Sequence, residues 1–462
     1  MNVKKSVMTA HIIVICMMCG MVLADVPTWK SDWTAGQEIL VRETAGIDRS
    51  REPVECEIQF VHKLSGKDVS DVAADVKREI RVVHSDGSSL VEIPSQVYGF
   101  HIGRINDKTE PSVVAVRCRV VFFADVDAYS TERYVVYHGN PSAKPPRYKS
   151  TLDVTGENVR YTVDNTDYTI LTEEQSGQID QIDLKIGTKP SLRFKYGTLH
   201  WNPDFIVVPD DYPATGYTWW YAHHFDKPDY EIESGPVFFS IKRNQLIPGQ
   251  DVAYMEVCYR FYAGLPYFIS ETYIEAKKDV RTFAIRNDEL AFGRNDFNLV
   301  GWRNKTPDMM EDHMGEIGST GLYYEGYRSG HVLGSVLPPN MAWISMLHRE
   351  DGYGVGSIRL EWENVNILTG EPSPLYNSHT VISEHDEGLY WFRSLIYSPR
   401  GSKGVSTDQL LSQLVDVPRG SSYREKNAYV LYETDSELTF GPIDDLYFQL
   451  RKPLKVHVLA NQ

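Results

Sequence analysis

Apolar and polar positions alternate along most of the chain. Runs such as "EIQFVHKL", "REIRVVHS", "SVVAVRCRVVFFADV", "RYVVYHG", "PVFFSIKR", "AYMEVCYRFY", "YFISETYIEA", "VRTFAIRN", "AWISMLH", "YGVGSIRLEW", "LYWFRSLIYS", "KNAYVLYE" and "LKVHVLA" follow one another from end to end. Their length, their β-branched and aromatic content, and the Gly, Pro, Asp and Asn between them predict antiparallel strands. In "AYMEVCYRFY" the alternation puts Tyr254, Glu256, Cys258, Arg260 and Tyr262 on one face, and Met255, Val257, Tyr259 and Phe261 on a core-forming face. Helical periodicity is weak; it is clearest in "STDQLLSQLVDVP", where Ser406 or Thr407 can cap a short helix that stops near Pro418. No fixed-period repeat is visible, which argues against a propeller or solenoid. The expectation is an all-β protein.

A change in composition divides it. "HGNPSAKPPRYKS", residues 138–150, carries three prolines and three basic residues between strand-rich regions and reads as a linker over 141–150. Residues 25–140 are then a small N-terminal β-sandwich, and residues 151–462 a large multi-sheet β-domain. Ahead of both, Lys4 and Lys5 precede the apolar run "IIVICMMCGMVLA", and Val22 and Ala24 suit a signal peptidase. Cleavage before Asp25 is expected, giving a secreted or periplasmic chain with no membrane span. Met17 and Met18 before Cys19 do not suit a lipoprotein signal.

The charge narrows the function classes. Formal net charge is −16, from 47 Lys and Arg against 63 Asp and Glu. That argues against nucleic-acid binding, which needs a basic footprint, and it requires a local cluster of Arg, Lys or His before any polyanion could bind. Loss of residues 1–24 would remove Cys16 and Cys19 and leave Cys56, Cys118 and Cys258. An oxidising compartment permits a Cys56–Cys118 pair; three buried thiols are the alternative. Oligomeric state is not readable from the sequence.

Several phrases, in order, carry a resemblance: "REPVECEIQF", "IRVVHSDGSSLVEIPSQVYG" and "YSTERYVVYHGNP" in the first part, then "VRYTVDNTDYTILTEEQSGQIDQIDLK", "GTLHWNPDF", "SGPVFFSIK", "VCYRFYAGLPYFISETYIEA" and "ELTFGPIDDLYFQLRKPLKV". This order resembles secreted bacterial polysaccharide-processing proteins of the YetA-like, exo-rhamnogalacturonan-lyase-like type and the related ulvan-lyase-like proteins. The resemblance implies a small β-sandwich followed by a galactose-mutarotase-like β-super-sandwich. No stretch has the length or periodicity of an α/α toroid, so toroid residues do not transfer, and a site would lie on the β-domain or between the domains.

The function expected on that basis is a polysaccharide lyase cleaving an acidic polysaccharide such as ulvan or rhamnogalacturonan by β-elimination. The reaction needs a carboxylate neutraliser, a base and an acid, roles that suit Arg, His and Tyr. Three clusters offer them. "TWWYAHHFDKPDYEIESGPVFF" supplies His223 or His224 as base or carboxylate binder, with Trp220 and Tyr221 as sugar-stacking groups. In an extended segment the two histidines would face opposite ways, so only one would share a site with Tyr221; the bland alternative is a loop histidine held by Asp226 or Asp229. Arg260 and Tyr262 form the second cluster, the alternative being a solvated ion pair of Arg260 with Glu256 or Glu271. "GLYYEGYRSGHVLG" brings Tyr324, Tyr327, Arg328 and His331 in a glycine-flanked loop. His200 and Trp201 in "LHWNPDF" are further substrate-binding candidates; His313, Arg294 and Asn295 are weaker ones. The reading requires no cofactor, and His-His-x-Asp with His200 leaves room for a divalent cation. Two other classes stay open: a hydrolase with two carboxylates, for which Asp204, Asp226, Glu271 and Glu325 are on offer, and a non-catalytic glycan-binding protein.

Overall fold

The structure is a computed structural model that describes residues 26–459 apart from 65–67, 105–112, 194–196, 200–201, 213, 248–250, 294, 306–309, 317–327, 330–331, 334, 338–340, 379, 386–387, 398–407, 409–410 and 436–439. It is predominantly β, as the alternation requires. In the first part, a sheet ordered Lys455–Val458, Ala35–Arg42, Thr131–His138, Arg81–Ser85, Leu90–Ile93 packs against a three-stranded sheet of Arg49–Lys63, Val113–Val126 and Ser95–Arg104. Their inward residues, among them Ile39, Val41, Ile58, Val116, Val120 and Phe122, make one core. Cys56 and Cys118 lie inside it as free thiols, and burial pushes both up to about 12, so neither is a reactive thiolate.

In the second part, a six-stranded sheet faces a nine-stranded one. The first runs Thr218–Tyr221, Asp204–Val207, Ala284–Gly293, Gly388–Tyr397, Thr380–His385, Ser335–Leu337 among the described residues. The second has Phe238–Leu246, Ala253–Tyr262, Tyr267–Ala276, Ser421–Glu433 and Tyr353–Asn366 at its centre. Phe205, Ile285, Leu290, Trp391, Met255, Val257, Tyr259 and Phe261 fill the space between them. The expected faces of Ala253–Tyr262 are observed, since every second residue from Ala253 to Phe261 is buried. A further five-stranded sheet, from Asp153–Glu157 to Ser191–Arg193, closes over the same core with Val163, Tyr168, Ile170 and Ile182.

Three departures from the pattern have physical causes. Helix Val72–Glu79 buries Val72 and Val76 in the N-terminal core. Helix Gly441–Arg451 starts with a proline in its first turn, where the missing N–H costs nothing, and buries Ile443 and Tyr447, four residues apart on one face. It lies close against Gly356, where any side chain would meet Ile443. Third, the helix expected before Pro418 is short: residues 406, 407, 409 and 410 lie outside the described residues, Asp408 and Leu411 are helical with the Ser412 N–H donating to the Asp408 carbonyl at 3.0 Å, and the segment's end, Val415–Val417, is a strand paired with Val280–Thr282. Among the described residues no helix is long and apolar enough to cross a membrane.

The chain end returns to its beginning. Lys455–Val458 pairs with Ala35–Arg42, Val456 opposite Val41, so this strand belongs to the N-terminal sheet and not to the large β-domain where the sequence reading put it. Arg49 secures the return: its guanidinium meets Glu43 at 3.1 Å and Glu52 at 2.7 Å, and donates to the Gln449 and Lys452 carbonyls at 2.9 and 2.6 Å. All of this is buried, so removing the cation strands two carboxylates and two carbonyls. Arg49→Met is expected to cost about 3–5 kcal/mol, read by urea unfolding; a loss under ~1 kcal/mol would show that the latch carries no weight. Glu43 also accepts backbone N–H bonds from Tyr129, Ala45 and Gly46, which outweigh its desolvation and lower its pKa to about 2. A lowered carboxylate stabilises fully above its unfolded pKa, 4.5, and loses that stabilisation as pH falls towards 2. Glu43→Gln should therefore flatten the acid limb of the stability curve while sparing the slope above pH 5.

Candidate functional site

The site is built on the edge of the six-stranded sheet. Thr218–Tyr221 pairs antiparallel with Asp204–Val207, Tyr221 opposite Asp204 and Trp219 opposite Ile206. Phe205 and Val207 point into the main core and Trp220 packs against it. Alternation then sends Asp204, Ile206, Trp219 and Tyr221 to the outer face. The neighbouring strand Ala284–Gly293 adds Arg286 to that face. A register shift follows Arg286, after which Leu290 and Phe292 return to the core and leave Glu289 and Ala291 facing outward.

Asp204 and Arg286 form a nearly buried pair, 0% and 4% exposed. Arg286 Nε donates to both carboxylate oxygens at 3.1 and 3.0 Å, Nη2 donates to Oδ2, and the Arg286 backbone N–H reaches Oδ1 at 3.0 Å. Trp219 Nε1 donates to Oδ2 at 2.5 Å, and the guanidinium lies 4.9 Å from the Trp219 ring centre. Burial alone would lower the guanidinium's pKa, but Asp204, its hydrogen bonds and nearby Glu289 outweigh that and hold it above its ordinary value. The cation is therefore permanent and already compensated. Its role is to fix the indole of Trp219, in cation–π contact and by a shared acceptor.

The next three residues overturn the expectation that the two histidines diverge. Ala222–His224 is a 3₁₀ turn and not extended chain. The tighter winding brings both imidazoles to one tyrosine: the Tyr221 ring centre lies 3.6 Å from His224 and 6.2 Å from His223, and Trp220 meets His224 edge-on at 5.7 Å. Tyr221, His223 and His224 are all partly exposed. Burial, then the neighbouring His223, hold His224 below the usual imidazole range, against an opposing backbone hydrogen bond to Trp219. At neutral pH this ring is uncharged. Asp226 does not hold either histidine by its backbone; its N–H donates to Gln245 Oε1 at 3.0 Å.

The second expected cluster is elsewhere. Arg260 and Tyr262 lie on the outer face of the nine-stranded sheet, across the core from Tyr221, where the N-terminal sandwich covers them. Arg260 pairs with Glu55 of that sandwich at 3.1 Å, and not with Glu256 or Glu271. Glu55 also accepts from Arg119 at 3.0 Å and from Tyr98. Tyr262 is buried with Tyr98, Val121, Phe238 and Tyr267, and burial raises its pKa even against the Arg260 charge. A base must reach substrate and a neutraliser must be unspent, so this pair can do neither job. Glu271, one of the carboxylates considered, pairs with Lys426 at 3.7 Å on the same outer face, where both side chains are partly exposed and far from the rim. His200, Trp201, Arg294, Tyr324, Glu325, Tyr327 and His331 lie outside the described residues. Arg328 opens the short strand Arg328–Ser329 paired with Val332–Leu333, and His313 lies in Met310–Glu316; their side chains are also outside what is described. Among the described residues no group of three His, Cys, Asp or Glu is placed to hold a metal ion.

Residues that the sequence reading passed over are Trp219, Arg286 and Glu289. Their signal was present: an Arg and acids inside the apolar run "TFAIRNDELAF" need partners once that run is buried.

With this geometry in place, comparison with known proteins corrects the expected chemistry. No protein-family model matches the chain, and no curated protein matches it. Among solved structures, a protein in the Glycosyl Hydrolase Family 38 from Enterococcus faecalis superposes with TM-score 0.52 and 12% identity, over 94% of this chain and 48% of its own. An alpha-mannosidase from Enterococcus faecalis V583 gives 0.53 and 12%, over 94% and 46%. The chain thus spans about half the length of these proteins, and at such identity the likeness is one of fold. A galactose mutarotase related enzyme from Lactobacillus acidophilus aligns over 60% of this chain with TM-score 0.34, a value that carries no argument. The comparisons therefore reach no lyase subfamily, and the galactose-mutarotase-like expectation gains nothing from them beyond the predominantly β architecture. The lyase reading, ulvan included, is overturned: the two solved structures that share this fold are a Glycosyl Hydrolase Family 38 protein and an alpha-mannosidase, neither of them a lyase, and the Arg260–Tyr262 pair it relied on is spent in the domain interface.

Breaking the Asp204–Arg286 pair should be costly. Arg286→Met leaves Asp204 buried with only Trp219 as a side-chain donor, and a loss of about 3–5 kcal/mol is expected, together with a shifted Trp emission. A variant as stable as the parent would show that the pair does not hold the rim.

Proposed function

We propose that the protein is a glycan-binding protein of carbohydrate-active architecture, and that it binds sugar rings at the rim formed by Trp219, Tyr221, His223 and His224. The observation that carries this reading is the close, tilted Tyr221–His224 ring contact at 3.6 Å, partly exposed at a sheet edge and backed by an indole fixed on the Asp204–Arg286 pair. A pyranose presents an apolar C–H face, which stacks on aromatic and neutral imidazole faces, while its rim hydroxyls take hydrogen bonds from ring nitrogens and the phenol. Rigid backing matters because a pre-ordered aromatic loses little entropy on binding. On the strength of Lys4, Lys5 and the apolar run that follows, we place this activity outside the cytoplasm.

A second reading, glycoside hydrolysis, is favoured by one observation: Asp204 and Glu289 are two fully buried carboxylates beside the same guanidinium on the same face. In that reading Asp204 orients the rim, and Glu289, itself without exposed surface, transfers a proton only once a bound sugar displaces what covers it.

Glycan-array binding followed by calorimetry tests the proposal. Tyr221→Ala is expected to weaken the best glycan about tenfold, the effect of ~1.4 kcal/mol, with unchanged thermal stability. Binding indifferent to both Tyr221→Ala and His224→Ala would overturn it. Release of new reducing ends that Glu289→Gln abolishes would put hydrolysis in its place.

A further inference from the structure

We infer that the N-terminal sandwich carries a ligand site of its own, a cleft at His138 that takes a neutral, hydroxyl-bearing ring of sugar size. That the ring is a sugar rests on the glycan-binding reading; the cleft itself does not.

The cleft encloses about 510 Å³, room for one or two sugar units. It lies where Ala35–Arg42 begins and Thr131–His138 ends, Ala35 opposite His138, against Gln59, Phe60 and Val61 of the edge strand Arg49–Lys63. Gln59 and Val61 are exposed, so the cleft is reached directly from solvent. Val26, Ala35, Val61 and Ala115 give it apolar walls. Its buried lining residues are Phe60 and His138, 7% and 8% exposed, whose rings stack at 4.2 Å with planes 25° apart.

Packing alone does not account for a histidine here, since a phenylalanine would make the same stack on Phe60. Among the described residues neither ring nitrogen of His138 finds a hydrogen-bond partner, although polar atoms at such depth are nearly always met. The little surface that the residue keeps lies in the cleft, and a partner for its nitrogens has to come from there. The chain beside it is held in place: Thr34 Oγ1 donates to the Gly139 carbonyl at 3.0 Å, and Gly139 has a φ of 81°, with no room for a side chain against that hydroxyl.

The lining sets the chemistry of the ligand. Burial, then the neighbouring His62, hold the His138 imidazole down to about 4, so at neutral pH it is uncharged and offers one N–H donor and one bare nitrogen acceptor. A hydroxyl can answer either nitrogen, and a sugar carries several on a ring whose C–H faces suit the apolar walls. None of the described lining residues is an Asp, Glu, Lys or Arg, so an ionised ligand would leave water there without a counter-charge.

Calorimetry on the full chain at pH 7 tests this with β-1,4-linked tetramers of glucose, mannose and xylose, and with a galacturonate tetramer. His138→Phe keeps the stack and removes both nitrogens; Ala115→Trp, on a partly exposed wall, fills the cleft and leaves the imidazole in place. At least one neutral tetramer is expected to lose affinity tenfold or more in each variant. The His138→Phe thermal midpoint should be no lower than the parent's, because the fold makes no use of those nitrogens; if that variant does not fold, Ala115→Trp decides. Neutral binding that the cleft variants leave unchanged overturns the inference, and the rim reading stands if Tyr221→Ala weakens it. Neutral binding weakened by the cleft variants but not by Tyr221→Ala supports the cleft and counts against the rim. Galacturonate binding that His138→Phe abolishes overturns the neutral class, and absence of binding to any tetramer overturns the site, whatever a glycan array returns for the rim.

Discussion

The nine-stranded sheet packs its inner face and the centre of its outer face against other layers, and that burial decides where the ionisable side chains caught there can go. Its inner face packs into the main core, and its outer face takes the N-terminal sandwich and helix Gly441–Arg451. Charges caught on either face must be compensated or cost several kcal/mol each. On the outside, Arg260 is met by Glu55. On the inside, Arg393 meets Asp288 at 3.1 Å and Arg359 Nε donates to Glu425 at 2.7 Å, while Ser357 and Tyr429 hydroxyls donate to Asp288 at 2.9 and 2.6 Å. These interior pairs are not candidates for chemistry, because nothing the size of a sugar reaches them between packed sheets. They do fix how the two sheets register on each other.

That leaves the sheet edge as the place where polar and aromatic side chains are both ordered and reachable. Among the described residues Thr218–Tyr221 has a neighbour on one side only, and Tyr221 is partly exposed at the strand end, while Trp219 is held from beneath by Asp204 and Arg286. Pairing a buried ion pair with a partly exposed aromatic rim divides the labour: the pair supplies rigidity and the rim supplies recognition. The permanent charge of Arg286 is thereby unavailable to an anionic ligand, which is why the residues of this site argue away from the acidic polysaccharides that the sequence suggested.

How much of this was legible in the sequence follows from the range of the interactions. The strands were legible, because alternation over five to ten residues is a local record of which face is buried; Ala253–Tyr262 is the clearest case. Helix Gly441–Arg451 was legible and passed over: Ile443, Leu446, Tyr447 and Leu450 fall at i, i+3, i+4 and i+7 and all pack on one cluster, a helical period set among strand-like phrases. The His223–His224 geometry was misjudged because a three-residue 3₁₀ turn leaves no periodic trace. Arg260 and Tyr262 were correctly put on one face, yet what covers that face is Glu55 and Tyr98, some two hundred and one hundred and sixty positions away, and no local pattern reports a partner at that separation.

The sequence alone determined the all-β class and the face that each central strand turns to the core. It also determined the presence of an aromatic and histidine-rich segment ahead of a strand, because all of these are written in neighbouring residues. Tertiary structure alone decided that Lys455–Val458 joins the first sheet, that Arg260 is spent at an interface, and that Asp204 finds Arg286 eighty-two residues away. Such choices are made by long-range burial: a charge removed from water takes whichever partner the packed sheets bring within hydrogen-bonding distance, and that geometry exists only once the chain has folded.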